Sequence, residues 1–415
     1  MKYLRKSNQL TVVWSFVVLS SFACALRATA TTSAVPPPRV IRESRIALAN
    51  NKFGFDLFRR LQAKDSGANL FFSPLSIAFA LTMTYNGAAG ETQQALSQAL
   101  YLDSQSLAET NRASAMLMKS FVSSDARIEL NLANSLWARQ GVTFKADFLA
   151  RNRQFFGAEI ASLNFNSPRA KATINNWVSG KTKGRIPSII DQIDAQQVLF
   201  LINAIYFKGQ WQKRFDKALT HDEPFYLLSG AQQQVPLMSQ SGSYQYFQGD
   251  KFQALCLPYG NGSTSLYLFL PEQNSSLPGF LSGLSYEVWE QWMTRFQETP
   301  GEVKIPRFKL DYEVNLNETL KALGMEVAFT EGKADFSRMR HQRDLFISEV
   351  RHKAVIDLNE QGTTAAAATS VGMGVTSVIT PPQSFSFIAN RPFLLAIRNQ
   401  PSGAILFMGV VTEPK

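Results

Sequence analysis

The segment ESRIALANNKFGFDLFRRLQAK places Leu48, Phe55, Phe58 and Leu61 at roughly helical spacing, which predicts an amphipathic first helix. In NLFFSPLSIAFALTMTYNGAAGET a second helix begins: Ser73 suits the N-cap, Pro74 the first turn, and Gly87 the stop. RIELNLANSLWAR alternates like a half-buried strand, and SPRAKATINNWVSGKTKGRI reads as a helix with a polar outer face. From Val198 onward the apolar runs become β-branched and aromatic. VLFLINAIYFKGQW, SLYLFLPEQ, EVKIPRFKL and LFISEVRHKAVIDLNEQG are separated by Gly, Pro and Asn, as strands are. The last run, RPFLLAIRNQPSGAILFMGVVTEP, predicts two strands around a turn at Gln400-Pro401-Ser402-Gly403. Helices first and strands later favour an α+β fold with large mixed or antiparallel sheets over a doubly wound one.

With 415 residues, 45% hydrophobic and 18% charged, the chain is able to bury a large core. The length would suit two or three domains, but no Pro/Ser/Gly linker, charge block or fixed-period repeat divides the chain, which supports one large mixed domain at least as well. The first thirty residues differ. Lys2, Arg5 and Lys6 precede the apolar run LTVVWSFVVLSSFACAL, and Ala28-Thr29-Ala30 supplies small residues for cleavage, the pattern of a secretory signal. A membrane anchor fits less well, because the run is short and broken by Ser15, Ser20 and Ser21. Loss of residues 1–30 removes Lys2, Arg5, Lys6 and Arg27 and no acid, lowering the net charge by four, from +10 to +6. The bases are dispersed, with no Lys/Arg run and no interleaved aromatics, which argues against nucleic acid as a partner. Cys24 leaves with the signal, so Cys256 stands alone in FQALCLPYG and is expected to be a buried small hydrophobe.

Candidate catalytic chemistry is sparse. His221, His341 and His352 are the chain's three histidines, and none lies near a cysteine or a second histidine at metal-ligand spacing, so no metal or other cofactor is expected. SGKTKG around Lys181 imitates the end of a phosphate loop, but Asn175 stands where its first glycine belongs. Neither a G-x-S-x-G elbow nor H-E-x-x-H occurs, and an enzyme reading has no positive support. Asn261, Asn274 and Asn317 head N-x-S/T triplets, which matter only in a glycosylating host.

Four segments carry a family likeness. NLFFSPLSIAFALTMTYNGAAGET, LINAIYFKGQWQKRF, SEVRHKAVIDLNEQGTTAAAAT and ANRPFLLAIRNQPSGAILFMGVV resemble signature segments of the serpins and occur in that family's order. With the signal read over 1–30 and a segment expected to be flexible over 31–44, the resemblance, which runs from about residue 45 to the end, implies one serpin-like domain over 45–415. That domain would hold three mixed or antiparallel β-sheets, eight or nine helices and an exposed reactive loop over about 360–382. It implies a monomeric, secreted inhibitor rather than an enzyme, free of membrane once the signal is removed. Its partner would be a serine protease, held covalently as an acyl-enzyme after it cuts the loop. The alternative is a non-inhibitory serpin acting as carrier, chaperone or storage protein.

The resemblance also assigns residues. In EQGTTAAAATSVGMGVTSVITPP the family's usual spacing from Glu360 places the severed bond at Thr376-Ser377, with Val375 and Val378 as alternatives. The hinge is Glu360, Gly362, Thr363, Thr364, Ala365, Ala366, Ala367 and Ala368. In an inserted strand Thr363, Ala365 and Ala367 share one face and Thr364, Ala366 and Ala368 the other, all small and uncharged. Residues 361–376 are expected to be unpaired before the cut and to enter the sheet after it. Val375, Thr376 and Val378 are uncharged and β-branched, which suits a shallow elastase- or subtilisin-type pocket. Ser73, Ser76, Asn203 and His352 match a polar cluster where the strands part, Trp211 matches the tryptophan where the loop enters, and Arg307 with Glu360 matches a hinge ion pair. Taken singly, Ser73 would be a plain helix cap, Trp211 core and His352 a satisfied histidine.

Overall fold

A computed structural model describes residues 45–103, 105–121, 125–194, 196–363 and 384–415. In chain order the elements are α1 (Arg45–Lys64), β1 (Leu70–Phe72), α2 (Pro74–Tyr85), α3 (Gly90–Ala99), α4 (Leu107–Ser120), β2 (Ile128–Arg139), α5 (Ala146–Phe156), β3 (Glu159–Leu163), α6 (Pro168–Lys181) and β4 (Leu199–Gln210). They continue as β5 (His221–Tyr226), β6 (Gln232–Gly249), β7 (Phe252–Tyr259), β8 (Thr264–Pro271), α7 (Leu277–Ser282), α8 (Tyr286–Met293), β9 (Gln297–Pro306), β10 (Phe308–Asn315), α9 (Asn317–Leu320) and α10 (Glu326–Phe329). The last are β11 (Glu349–Asn359), β12 (Gly362–Thr363), β13 (Phe385–Ile388), β14 (Phe393–Asn399) and β15 (Ile405–Val411). Gly324, at φ 93°, breaks one helical body into α9 and α10.

The α+β class is as the sequence predicts, with one difference in the sheets. Two hydrogen-bonded networks stand where three sheets were expected, one ordered β10-β11-β12-β4-β2-β3 and the other β1-β15-β14-β8-β7-β6-β9-β13, with β5 on β6. The cause is β6, an eighteen-residue strand that pairs with β5 at its start, β9 along its middle and β7 at its end. It fuses what would otherwise be two separate sheets.

EVKIPRFKL is two strands rather than one. β9 ends at Pro306 in the nine-stranded sheet and β10 begins at Phe308 in the six-stranded one, leaving Arg307 at the crossing. The missing N–H of Pro306 favours ending a ladder there.

The six-stranded sheet is buried on both faces. Successive residues of β4 alternate: Phe200, Ile202 and Ala204 pack under Ile174 and Val178 of α6 together with Val355 of β11. Leu201, Ile205 and Phe207 face the larger core with α2, all of whose residues are buried. α2 starts as expected, with Ser73 Oγ accepting from Ser76 N and Pro74 in the first turn. Gly87 cannot be larger: an added Cβ would lie 2.0 Å from a Met339 side-chain carbon.

α1 departs in detail from its apolar stripe. Leu48 is half-buried, whereas Asn50 and Asn51 are buried. The Asn51 amide donates to the Gly403 carbonyl at 3.0 Å and accepts from Ile405 N at 2.9 Å, tying the helix to the closing hairpin. Cys256 is buried on β7, its thiol pushed up to about 11 by burial.

Candidate functional site

β4 and β11 run parallel and side by side in register from Glu349↔Phe200 to Val355↔Tyr206. Beyond that they separate, and β12 lies between them: Thr363 pairs with Leu358 and Gly209, Gly362 with Asn359 and Gln210. The expectation that residues from 361 onward are unpaired is therefore corrected at its first step. Gly362 and Thr363 already occupy the gap, with Thr363 1% exposed. Both are small enough to fit there. Gly362 sits at φ 141°, and a Cβ on it would stand 2.0 Å from the Gly209 carbonyl oxygen, so no other residue keeps this backbone path.

Side chains hold the seat from below. Tyr259, fully buried, brings its hydroxyl to 2.7 Å from Thr363 Oγ1, and Trp211 lies flat on its ring with centroids 4.4 Å apart and planes 10° apart. Burial pushes the Tyr259 phenol far above its ordinary value, so the hydroxyl stays protonated. The Trp211 indole donates to the Asn359 carbonyl at 2.9 Å, Trp211 N donates to Gln361 O at 2.9 Å, and Phe215 N to Glu360 O at 2.9 Å. Glu360 Oε1 accepts from Thr220 Oγ1 at 3.0 Å and from Arg307 Nη1 at 3.4 Å, with the carboxylate side chain 4% exposed and the arginine half in solvent. Arg307 and Glu360 are thus brought together as the sequence suggested. A cleft of about 640 Å³ opens beside them, lined by Lys217, His221, Asp222 and Asp357 among others.

Partway along the β4–β11 pairing lies a second group. Ser73, Ser76, Asn203 and His352 meet, all buried, together with Asn134 of β2. Ser73 N donates to His352 Nε2 at 3.2 Å. A backbone N–H only donates, so Nε2 is bare, the proton is on Nδ1, and Nδ1 donates to Asn203 Oδ1. The Asn203 amide then donates to Ser76 O at 2.9 Å, to Ser76 Oγ and to Asn134 Oδ1. His352 and Asn203 are register partners, so their bond crosses the seam where β11 and β4 meet. Burial holds the His352 imidazole down to about 3, so it is neutral at physiological pH.

Asn134 and Tyr259 were missed in the sequence. Asn134 carried a usable signal: NLANSLWAR and LINAIYF each put one Asn on the inward phase of an apolar alternation, and the two residues face each other in the β2–β4 register. Tyr259 carried none, since it ends a strand of the other sheet. Thr364, Ala365, Ala366, Ala367, Ala368, Val375, Thr376, Ser377 and Val378 lie outside the described residues, as do the signal and the 31–44 segment. Of the three glycan triplets, Asn261 and Asn274 are exposed. Asn317 is engaged, donating to Ser348 O at 2.8 Å and accepting from Val350 N at 2.9 Å.

A two-residue strand is thus seated between parallel neighbours, above a buried His–Asn tie. A family model described as serpin (serine protease inhibitor) matches residues 48–414. The chain is a serpin. It is 38% identical to the leukocyte elastase inhibitor of Equus caballus over 382 residues, covering 89% of this serpin and 100% of that protein. The leukocyte elastase inhibitor of Homo sapiens is 34% identical with the same coverage. Among solved structures, the thermophilic serpin tengpin in the native state superposes with a TM-score of 0.82 at 31% identity, over 88% of this serpin and 94% of that chain. Human thyroxine-binding globulin complexed with thyroxine gives 0.83 at 28% identity, over 90% and 99%.

Proposed function

We propose that this serpin inhibits a serine protease as a suicide substrate. The protease cuts the loop after Thr376, the freed loop enters the β4–β11 gap, and the protease stays bonded to the Thr376 carbonyl as an acyl-enzyme. The observation that carries the reading is the hinge: Gly362 and Thr363 are already seated in the gap with strand pairing on both sides. The next residues, Thr364 to Ala368, are as small and uncharged as those two. A bulky or charged residue at these positions would bury an unpaired group in the sheet.

The direction of travel follows from the register. The seam between β4 and β11 runs away from the hinge along β4, and sixteen residues at ~3.3 Å each span about 50 Å. An attached protease would be carried to the opposite end of the molecule. Traction on the ester draws the protease's serine away from its oxyanion donors, and loss of one such donor alone costs ~10²–10³ in rate. Hydrolysis stalls with the ester intact.

The target is an elastase- or subtilisin-like enzyme. Val375, Thr376 and Val378 are uncharged and β-branched, and inhibitors of leukocyte elastase are among the relatives at 34–38% identity. The basic, then apolar, then small-residue order of residues 1–30 supports secretion, and the protein acts as a monomer outside the cell.

Mixing the protein with an elastase-type protease and separating the products by denaturing electrophoresis tests this. The expected result is a covalent complex near the summed masses, with release of a C-terminal peptide starting at Ser377. A start at Ile379 would move the cut to Val378, and a start at Thr376 to Val375. Clean cleavage with no complex would overturn inhibition in favour of a carrier, the kind of role shown by the thyroxine-bound neighbour.

A further inference from the structure

The β4–β11 gap is crossed by side chains at a second place, far from the hinge. Gln197, two residues before β4, donates from Nε2 to Glu349 Oε2 at 2.8 Å, and Glu349 is the first residue of β11. The Glu349 carboxylate is buried, 7% exposed, and its other oxygen accepts from Asn315 Nδ2 of β10 at 3.0 Å and from Arg351 Nε at 2.5 Å. Arg351 in turn reaches Glu313 of β10 at 3.1 Å. Beside this pair Ser348 Oγ accepts from Val198 N at 2.9 Å, and Ser348 N donates to Leu199 O. We propose that the Gln197–Glu349 tie is a clamp on the far end of the gap, and that its opening is the last obstacle to full loop insertion.

The register says which part of the loop meets it. Thr363 pairs antiparallel with both Gly209 and Leu358. Each further loop residue moves one place down both neighbours. Thr369 therefore comes opposite Asn203 and His352, and Gly372 opposite Phe200 and Glu349. The His352–Asn203 tie is met halfway. The Gln197–Glu349 tie is met only when three or four residues remain before Thr376, when the acyl-linked protease has travelled nearly the whole distance. A clamp at this point decides whether the final stretch is completed before water hydrolyses the ester.

Alternation keeps the two ties separate. His352 faces the core beneath the sheet with Ser73 and Ser76, whereas Glu349, Arg351 and Val355 share the opposite face, the one covered by α6. A cleft of about 520 Å³ adjoins the clamp, bounded by Gln192, Ile193 and Asp194 from the segment after α6. The side chains have room to part without repacking the core. Gln197 and Glu349 are positioning residues, acting on the gap and not on the protease.

The clamp rests on the insertion reading, and two measurements separate them. Hydrogen exchange in the uncleaved protein reads the tie with no loop cleavage: Gln197→Ala is expected to speed exchange of the Leu201 and Arg351 amides about tenfold. Gln197→Glu, which sets two carboxylates face to face, is expected to speed it more. After loop cleavage β4 and β11 are no longer neighbours, so melting of the cleaved form should be unchanged in both variants while the uncleaved form melts lower. The number of inhibitor molecules consumed per protease trapped should shift in the order wild type, Gln197→Ala, Gln197→Glu. Equal destabilisation of both forms, or unaltered exchange at Leu201 and Arg351, overturns the clamp. Faster exchange in the variants together with a wild type that gains no heat resistance on cleavage sinks the insertion reading and leaves the tie standing.

Discussion

Thr363 Oγ1 lies 2.7 Å from the hydroxyl of Tyr259, a buried contact between the first inserted residues of the loop and a strand of the other sheet. The bond anchors the buried side of β12. Tyr259 is in turn stacked on Trp211, whose indole holds the Asn359 carbonyl just before the turn into the hinge. The three side chains form one seat, and each makes a separable contribution to it.

Tyr259→Phe removes the hydroxyl and keeps the ring stack. It leaves Thr363 Oγ1 buried without its partner, at a cost of ~1–3 kcal/mol to the seated hinge. The Thr363 amide should exchange about tenfold faster, with little change in the melting of the whole domain, because the rest of the gap is untouched. Unaltered exchange at Thr363 would mean that the hydroxyl contact does not hold the seat.

Gly362→Ala is the stricter test of the same seat. A Cβ at this position meets the Gly209 carbonyl oxygen at 2.0 Å and the Gln210 Cα at 2.6 Å, both backbone atoms that have nowhere to go. The hinge is expected to leave the gap entirely, so β12 is lost and protease sensitivity appears near residue 362. Full insertion after cleavage should also suffer, because the same backbone path is needed, and the gain in heat resistance on cleavage should shrink. An alanine variant with wild-type protection at Thr363 would refute this account of the glycine.

Much of this arrangement was legible in the chain because its signals are local. Ser73-Pro74 and Gly87 mark the ends of α2 by cap chemistry alone, and the apolar alternation of β2 and β4 follows from period two. The hinge composition of Gly362 to Ala368 needed the family resemblance to acquire meaning. What stayed hidden depends on long-range register. Tyr259 reaches Thr363 across 104 residues, and Gln197 reaches Glu349 across 152. No periodicity encodes such pairs. The break at Arg307 was hidden for a different reason: EVKIP and FKL are both good strand sequence, and only Pro306 hints that they belong to different sheets.

The His352 tie makes the uncleaved protein sensitive to acid. Its imidazole titrates near 6.5 when exposed and only near 3 when buried in the cluster, because burial disfavours the charged form. The unfolded chain therefore takes up a proton that the folded one refuses. Stability is fully present above pH 6.5 and is lost as the pH falls from there toward 3, at ~1.4 kcal/mol per pH unit from this group. The urea midpoint of the uncleaved protein should fall between pH 6 and pH 4, and His352→Gln should flatten that slope. A variant with the same slope as wild type would place the acid sensitivity elsewhere.

Thr363→Arg joins the seat to function. Thr363 is 1% exposed with strands on both sides and Tyr259 beneath it, so a guanidinium placed there is taken out of water. The hinge of the uncut protein should stay outside the gap, which costs the fold little because only two residues are displaced. The consequence falls on the step after cleavage. On the proposed reading insertion proceeds from the hinge inward, so a barrier at residue 363 holds back every later position. Acyl-enzyme hydrolysis then wins, and the variant is expected to be cut as an ordinary substrate. It should show neither the covalent complex nor the gain in heat resistance that are expected of wild type. A Thr363→Arg protein that traps protease as well as wild type would mean that the inhibitory step does not pass through this gap.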